Sequence, residues 1–116
     1  MLLMTKYKYG DIILAKVVFS EGEGFKKRPA IIVSSNEYNN NRQEIIIAAI
    51  TSNITRSLPG DTLIVQWEKA GLLAPSVVTG IFQTIKKGLI DRKLGILANE
   101  DFLKVRENLK LALGFY

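Results

Sequence analysis

The chain contains no cysteine and no histidine. The first absence removes disulfides, thiolate nucleophiles and cysteine metal cages. The second removes more chemistry: the usual neutral-pH acid and base, the Ser-His-Asp arrangement and histidine zinc sites all need an imidazole. An enzyme of this composition works with Arg, Lys, Asp, Glu and hydroxyl groups, and no cofactor or metal is expected. Long hydrophobic runs are missing too. The opening Met1-Leu2-Leu3-Met4-Thr5-Lys6 is shorter than the core of a signal peptide, and no apolar stretch reaches the length of a membrane span. The expectation is a cytoplasmic protein without membrane contact. Phosphate-binding loops of the GxxxxGK[ST] and GxGxxG types are absent, as are CxxC and HExxH. The few aromatic residues are scattered, which argues against a strand-borne pair for stacking bases and against an aromatic groove for proline-rich peptides.

What is present suffices for one folded unit. With 116 residues, 47% of them apolar, a single domain over residues 1–116 with a modest core is expected. The net charge of +5 suits an acidic partner such as RNA or an acidic peptide without establishing one. The cationic excess is spread along the chain, so any electropositive patch must be assembled by folding.

Short β-rich runs separated by turn residues dominate the order of the chain. Strands are predicted over residues 12–19, 30–35, 44–51, 62–67 and 77–84, with a shorter, interrupted one over 89–97. The first has apolar residues on both faces, so cover on both sides is expected. The third is the most hydrophobic and should be central. Gly80 inside the fifth suggests a bulge or a close backbone approach. Residues 36–43, rich in asparagine, read as a loop or frayed turn. A helix over 100–113 follows from Phe102, Val105, Leu109 and Ala112/Leu113 recurring at three and four residues. Asn99 is its expected N-cap and Gly114 its stop. The spacing leaves no room for crossover helices. The fold class is therefore mainly β: a small, curled antiparallel barrel of five to six strands with a C-terminal helix.

Lys26-Lys27-Arg28-Pro29 stands between two apolar runs, after the polar loop Ser20-Glu21-Gly22-Glu23-Gly24-Phe25. Three consecutive cations form either a phosphate platform or a solvated strand entrance. Phe25 beside them either stacks on a base or pins the loop. In an antiparallel pair the start of one strand lies beside the end of its neighbour, so Arg28 and Thr51-Ser52-Asn53 are expected at one barrel edge, with Glu21 and Glu23 arching over. An arginine, a hydroxyl and a carboxylate around a phosphodiester make a workable RNA-cleaving site. The simpler account of Thr51 is an ordinary strand end. Asp11 and Asp61 read as acceptors for turn amides, and Trp67 as a ring buried at a strand end.

At these same residues the sequence resembles the MazF/PemK family of toxin–antitoxin endoribonucleases. The resemblance rests on the order and spacing of Gly10-Asp11-Ile12, Lys27-Arg28-Pro29-Ala30, Ala49-Ile50-Thr51-Ser52, and Ala70-Gly71-Leu72 with Pro75-Ser76-Val77-Val78. It is extended by Thr84-Ile85-Lys86-Lys87 and Leu94-Gly95-Ile96-Leu97 and covers residues 8 to 113. It implies an SH3-like barrel with a C-terminal helix, assembled as a homodimer. It also implies metal-independent cleavage of single-stranded RNA at short motifs through the 2′-hydroxyl, and inhibition by a cognate antitoxin with an acidic, partly disordered tail. The family's arginine and threonine fall on Arg28 and Thr51 as catalytic residues. Glu21, Glu23, Phe25, Lys26, Lys27, Ser52, Asn53 and Thr79 are the candidates for supporting or RNA-contacting roles. The chain departs from the family at Thr79-Gly80-Ile81, where many members carry an arginine, and it lacks the first-loop histidine of some. The alternative those departures open is a catalytically silent relative that binds RNA or antitoxin.

Overall fold

The computed structural model describes residues 7–17 and 26–116; the expectations for Val18, Phe19, Glu21, Glu23 and Phe25 lie outside the described residues. Six strands form one antiparallel sheet: β1 (Asp11–Val17), β2 (Lys26–Ile32), β3 (Glu44–Thr51), β4 (Thr62–Leu63), β5 (Val77–Lys86) and β6 (Ile90–Ile96). Their order is β4-β5-β3-β2-β1-β6, which places β3 inside the sheet as its apolar run predicts. Two helices, α1 (Asn36–Asn41) and α2 (Asn99–Leu113), and a single 3-10 turn at Lys87–Leu89 complete the described chain. None of the described helices is long and apolar enough to cross a membrane.

The two-faced pattern of β1 has a direct counterpart in packing. Ile12 is buried with Ile31, Ile50, Val78 and Val105 of α2, whereas Ile13, Ala15 and Val17 are buried with Ala30, Ile32 and Ile47 on the other face. Each such isoleucine contributes about 1.5–3 kcal/mol by leaving water. Trp67, Phe102 and Leu109 are partly buried against the first cluster. Leu113 is half exposed, so the apolar stripe of α2 stops short of it.

Several boundaries differ from the sequence reading, each for a local reason. β2 begins at Lys26 rather than residue 30, so the cationic run lies within the strand. Its pairing with β1 runs from Lys26 to Ile31, while pairing with β3 is recorded only from Ala30, so Pro29 has no β3 ladder bond to lose. Residues 36–41 are helical, not loop. The Ser35 hydroxyl caps this helix by accepting from Tyr38 N at 3.1 Å, and the buried Asn39 exchanges hydrogen bonds with Ser34. Asparagine has low helix propensity, which is why the run of asparagines reads as a loop although Ser35 offers a cap. β4 is two residues long rather than six. Beyond it, the N–H groups of Val65 and Gln66 donate to the Asp101 carboxylate at 3.0 and 2.9 Å instead of to a neighbouring strand. The N-cap of α2 is Ala98 without a side-chain bond, and Asn99 is already helical. Gly114 closes the helix in the left-handed conformation at φ 79°, as predicted.

Curling of the sheet is completed by a contact outside the ladder. Residues 70–71 pack backbone to backbone against 94–95 of β6. A bulge bends β5 where three residues, 79 to 81, face Ala49 alone between the pairs Ile50–Val78 and Ala48–Phe82. Gly80 lies at its centre, beside the backbone of Pro59 and Gly60 at ordinary packing distance.

Candidate active site

The β2–β3 register pairs Ala30 with Ala49, and continued two residues outward it sets Arg28 opposite Thr51. Both line one cavity of about 710 Å³ at that edge of the sheet, together with Ser52 and Asn53. Leu14, Pro29 and Leu94 add apolar wall from β1, β2 and β6, and the backbone contact at Gly71 closes one side. Pairing of β2 with β3 stops at Ala30–Ala49 although the strands run on to Lys26 and Thr51, and residues 71–74 border the opening left beside them.

The hydroxyls around it are in different states. Thr51 Oγ1 accepts from Asn53 N at 3.1 Å, and Asn53 Oδ1 accepts from Thr55 N and Thr55 Oγ1 at 3.3 and 2.6 Å. These local bonds set the turn after β3. A hydroxyl has one hydrogen to give, and that of Thr51 meets no acceptor among the described residues, which suits it to donate to a ligand oxygen. Thr79 differs. It is 1% exposed, donates to Ala49 O at 2.8 Å and accepts from Ile81 N at 3.1 Å. Its hydroxyl therefore stitches the β5 bulge to β3, although the residue borders the cavity.

Of the three consecutive cations, only Arg28 lines the cavity. Lys27 pairs with Asp91 at 3.3 Å on the exposed sheet surface, and Lys26 stands opposite Val17 at the strand's start. Two arginines that the sequence reading did not single out take the cavity's other sides. Arg92 of β6, opposite Leu14, is exposed and has its Nη1 3.3 Å from Asp91. Arg56 comes from the loop between β3 and β4. Its Nε lies 2.8 Å from Asp61 Oδ2, an ion-pair contact in which the N–H is not aligned for a hydrogen bond. No local signal pointed to Arg92, whose place follows from the pairing of β6 with β1; for Arg56 the available signal was an arginine and an aspartate on either side of a Pro-Gly turn.

Three arginines line the cavity, and no carboxylate belongs to its described lining. Such a concave, cation-lined surface focuses positive potential and favours a polyanion. Arginine offers planar donors that match phosphate oxygens in pairs.

Comparison with known proteins bears on the fold and the family. No curated protein matches the chain by sequence. Among solved structures, an endoribonuclease in complex with its cognate antitoxin from a mycobacterial species superposes with a TM-score of 0.75 at 20% identity, covering 97% of this chain and 98% of that one. The Mycobacterium tuberculosis toxin MazF-mt6 gives 0.74 at 24% identity over 90% and 96%. MazF from Deinococcus radiodurans gives 0.71 at 16% over 92% and 96%. At these identities the likeness establishes the fold. Membership rests on the family model for the PemK-like, MazF-like toxin of type II toxin–antitoxin systems, which matches residues 8–113. A cation-lined cavity on a curled six-stranded sheet with a C-terminal helix thus sits in a chain that belongs to the PemK/MazF toxin family.

Proposed function

We propose that this protein is an endoribonuclease toxin that cuts single-stranded RNA, mRNA included, at short sequence motifs in the cytoplasm, without a metal. The observation that carries the reading is Arg28 and Thr51 lining one cavity with two further arginines. In the reaction, the ribose 2′-oxygen attacks the adjacent phosphorus as its proton passes to a base. The bond from phosphorus to the 5′-oxygen breaks, and that oxygen takes up a proton. The products are a 2′,3′-cyclic phosphate and a 5′-hydroxyl. Arg28 stabilises the charge that accumulates on the non-bridging oxygens. Thr51, with its acceptor side held by Asn53 N, donates to one of those oxygens. Glu21 and Glu23 are the candidates for moving protons. Two protomers forming a homodimer, and a cognate antitoxin whose acidic tail competes for the arginines, complete the proposal.

A second reading is favoured by one observation, the lack of any carboxylate in the described lining. On that reading the cavity binds RNA or antitoxin without cleavage. The two separate in one experiment: mixed-sequence single-stranded RNA is incubated in EDTA with the wild type and with R28A, and product ends are mapped. Cuts that survive EDTA, disappear in R28A and end in cyclic phosphate support the nuclease. Salt-dependent RNA binding with no product supports the binding module.

A further inference from the structure

Arg56 is held by a buried carboxylate, whereas Arg92 meets the more exposed carboxylate of Asp91. The Asp61 side chain is 4% exposed and does three things at once. Its Oδ2 accepts from Leu58 N at 3.0 Å and contacts Arg56 Nε at 2.8 Å, and its Oδ1 accepts from Gly80 N at 3.2 Å. The loop carrying Arg56 is thereby fastened to the β5 bulge, where Pro59 and Gly60 lie beside Gly80. A loop arginine has many rotamers, and immobilising one costs about 2 kcal/mol of side-chain entropy. An arginine already held in a cavity avoids most of that cost when an anion arrives. A buried carboxylate holding a guanidinium by Nε leaves the four N–H donors of the terminal nitrogens for other partners.

We propose that Arg56 contacts a phosphate of the bound RNA other than the one that reacts, and that Asp61 is the residue that positions it. The inference rests on the RNA-cleaving reading above and deepens it: Arg28 serves the reacting phosphate, and Arg56 reads the backbone beside it. It acts on binding, and little on the chemical step. Simple charge would give the opposite sign at Asp61, because removing a carboxylate from a polyanion site strengthens binding. Positioning predicts that removing it weakens binding.

The test uses the full chain with two readouts. Steady-state cleavage gives kcat and KM. Binding of an oligonucleotide whose 2′-hydroxyls are methylated, so that it cannot be cut, gives Kd across salt concentrations. Arg56→Gln is expected to raise KM and Kd about tenfold, leave kcat within about twofold, and flatten the log–log salt slope by about 0.7, the value for one phosphate contact on a single strand. Arg56→Lys should restore the salt slope and part of the affinity, since the charge remains and the paired donors do not. Asp61→Asn should weaken binding in the same direction, and Arg56→Gln combined with Asp61→Asn should be no weaker than Arg56→Gln alone. Melting curves identify any variant that is unfolded at the assay temperature. Should Asp61→Asn not fold, the Arg56→Gln and Arg56→Lys pair decides. Unchanged Kd and slope in Arg56→Gln, or tighter binding in Asp61→Asn, overturns the proposal. Those outcomes with R28A inactive leave the RNA-cleaving reading intact, whereas a wild type that neither cuts nor binds RNA removes both.

Discussion

Gly71 and Gly95 meet so closely that neither has room for a side chain. A Cβ on Gly71 would fall 2.1 Å from Leu94 O, and one on Gly95 would fall 2.5 Å from Ala70 O. Gly71 also holds φ at 81°, a conformation that L side chains rarely adopt. The sheet's hydrogen-bonded order ends at β4 and β6, so this contact outside the ladder holds the 70–71 segment against β6 and closes the cavity wall.

Alanine at either position must push two backbones apart. Overpacking and, at Gly71, the left-handed backbone together cost about 2–4 kcal/mol. The melting temperature of G71A should fall by about 10 °C and that of G95A by somewhat less. Thermal denaturation followed by circular dichroism checks this, and a change of under 2 °C in both would show that the contact is slack.

Arg28→Ala should lower kcat by roughly 10²- to 10³-fold, the scale of losing one preorganised donor to transition-state charge. Arg28→Lys should recover only part of this, because an ammonium cannot supply two coplanar donors. Thr51→Val keeps the shape and removes the O–H, and should cost about 10- to 100-fold. Single-turnover cleavage of a defined RNA separates these losses from changes in binding.

The Asp101 carboxylate is fully buried and accepts from Val65 N and Gln66 N. Asp101→Ala strands both donors and should destabilise the fold by about 2–4 kcal/mol, while Asp101→Asn retains one acceptor and should cost less. Urea titration reads the difference. The residue lies outside the cavity lining, so folded D101N should cut RNA at the wild-type rate.

Asp91 stands 3.3 Å from both Lys27 Nζ and Arg92 Nη1 at the exposed border of the cavity. Exposed pairs contribute little to stability, so D91N should melt within about 2 °C of wild type. Removing the anion beside two cations should tighten RNA binding about two- to fivefold at low salt, with the gain fading as salt rises. A loss of affinity at low salt would mean that Asp91 orients these cations instead of neutralising them.

How far the sequence could be read depended on the range of the interaction that decides each element. The two apolar faces of β1, the apolar run of β3, the α2 stripe as far as Leu109 and the stop at Gly114 are local patterns that burial then rewards, and they hold in the structure. So does the turn chemistry of Asp11 and Asp61, whose carboxylates accept from Lys8 N and Leu58 N three residues away. Helix α1 was not legible, because asparagine is a poor helix former and the Asn39 carbonyl is bound by Lys87 from beyond β5. Nor was the truncation of β4, since the carboxylate that takes its N–H groups lies 35 and 36 residues away.

The site divides along the same line. Arg28 and Thr51 could be brought together from sequence because antiparallel pairing of adjacent strands is enough to juxtapose one strand's start with the next one's end. Arg56 and Arg92 could not, since a hairpin rule says nothing about a loop fastened to β5 or about β6 pairing with β1 across most of the chain. By itself, then, the sequence determined a cationic, mainly β fold with a C-terminal helix and the strand pairing that brings Arg28 near Thr51, because periodicity and nearest-neighbour pairing act locally. Only the tertiary structure decided which cations share the cavity and which hydroxyl keeps a hydrogen to donate. Those depend on contacts between segments far apart in the chain, and no local pattern encodes them.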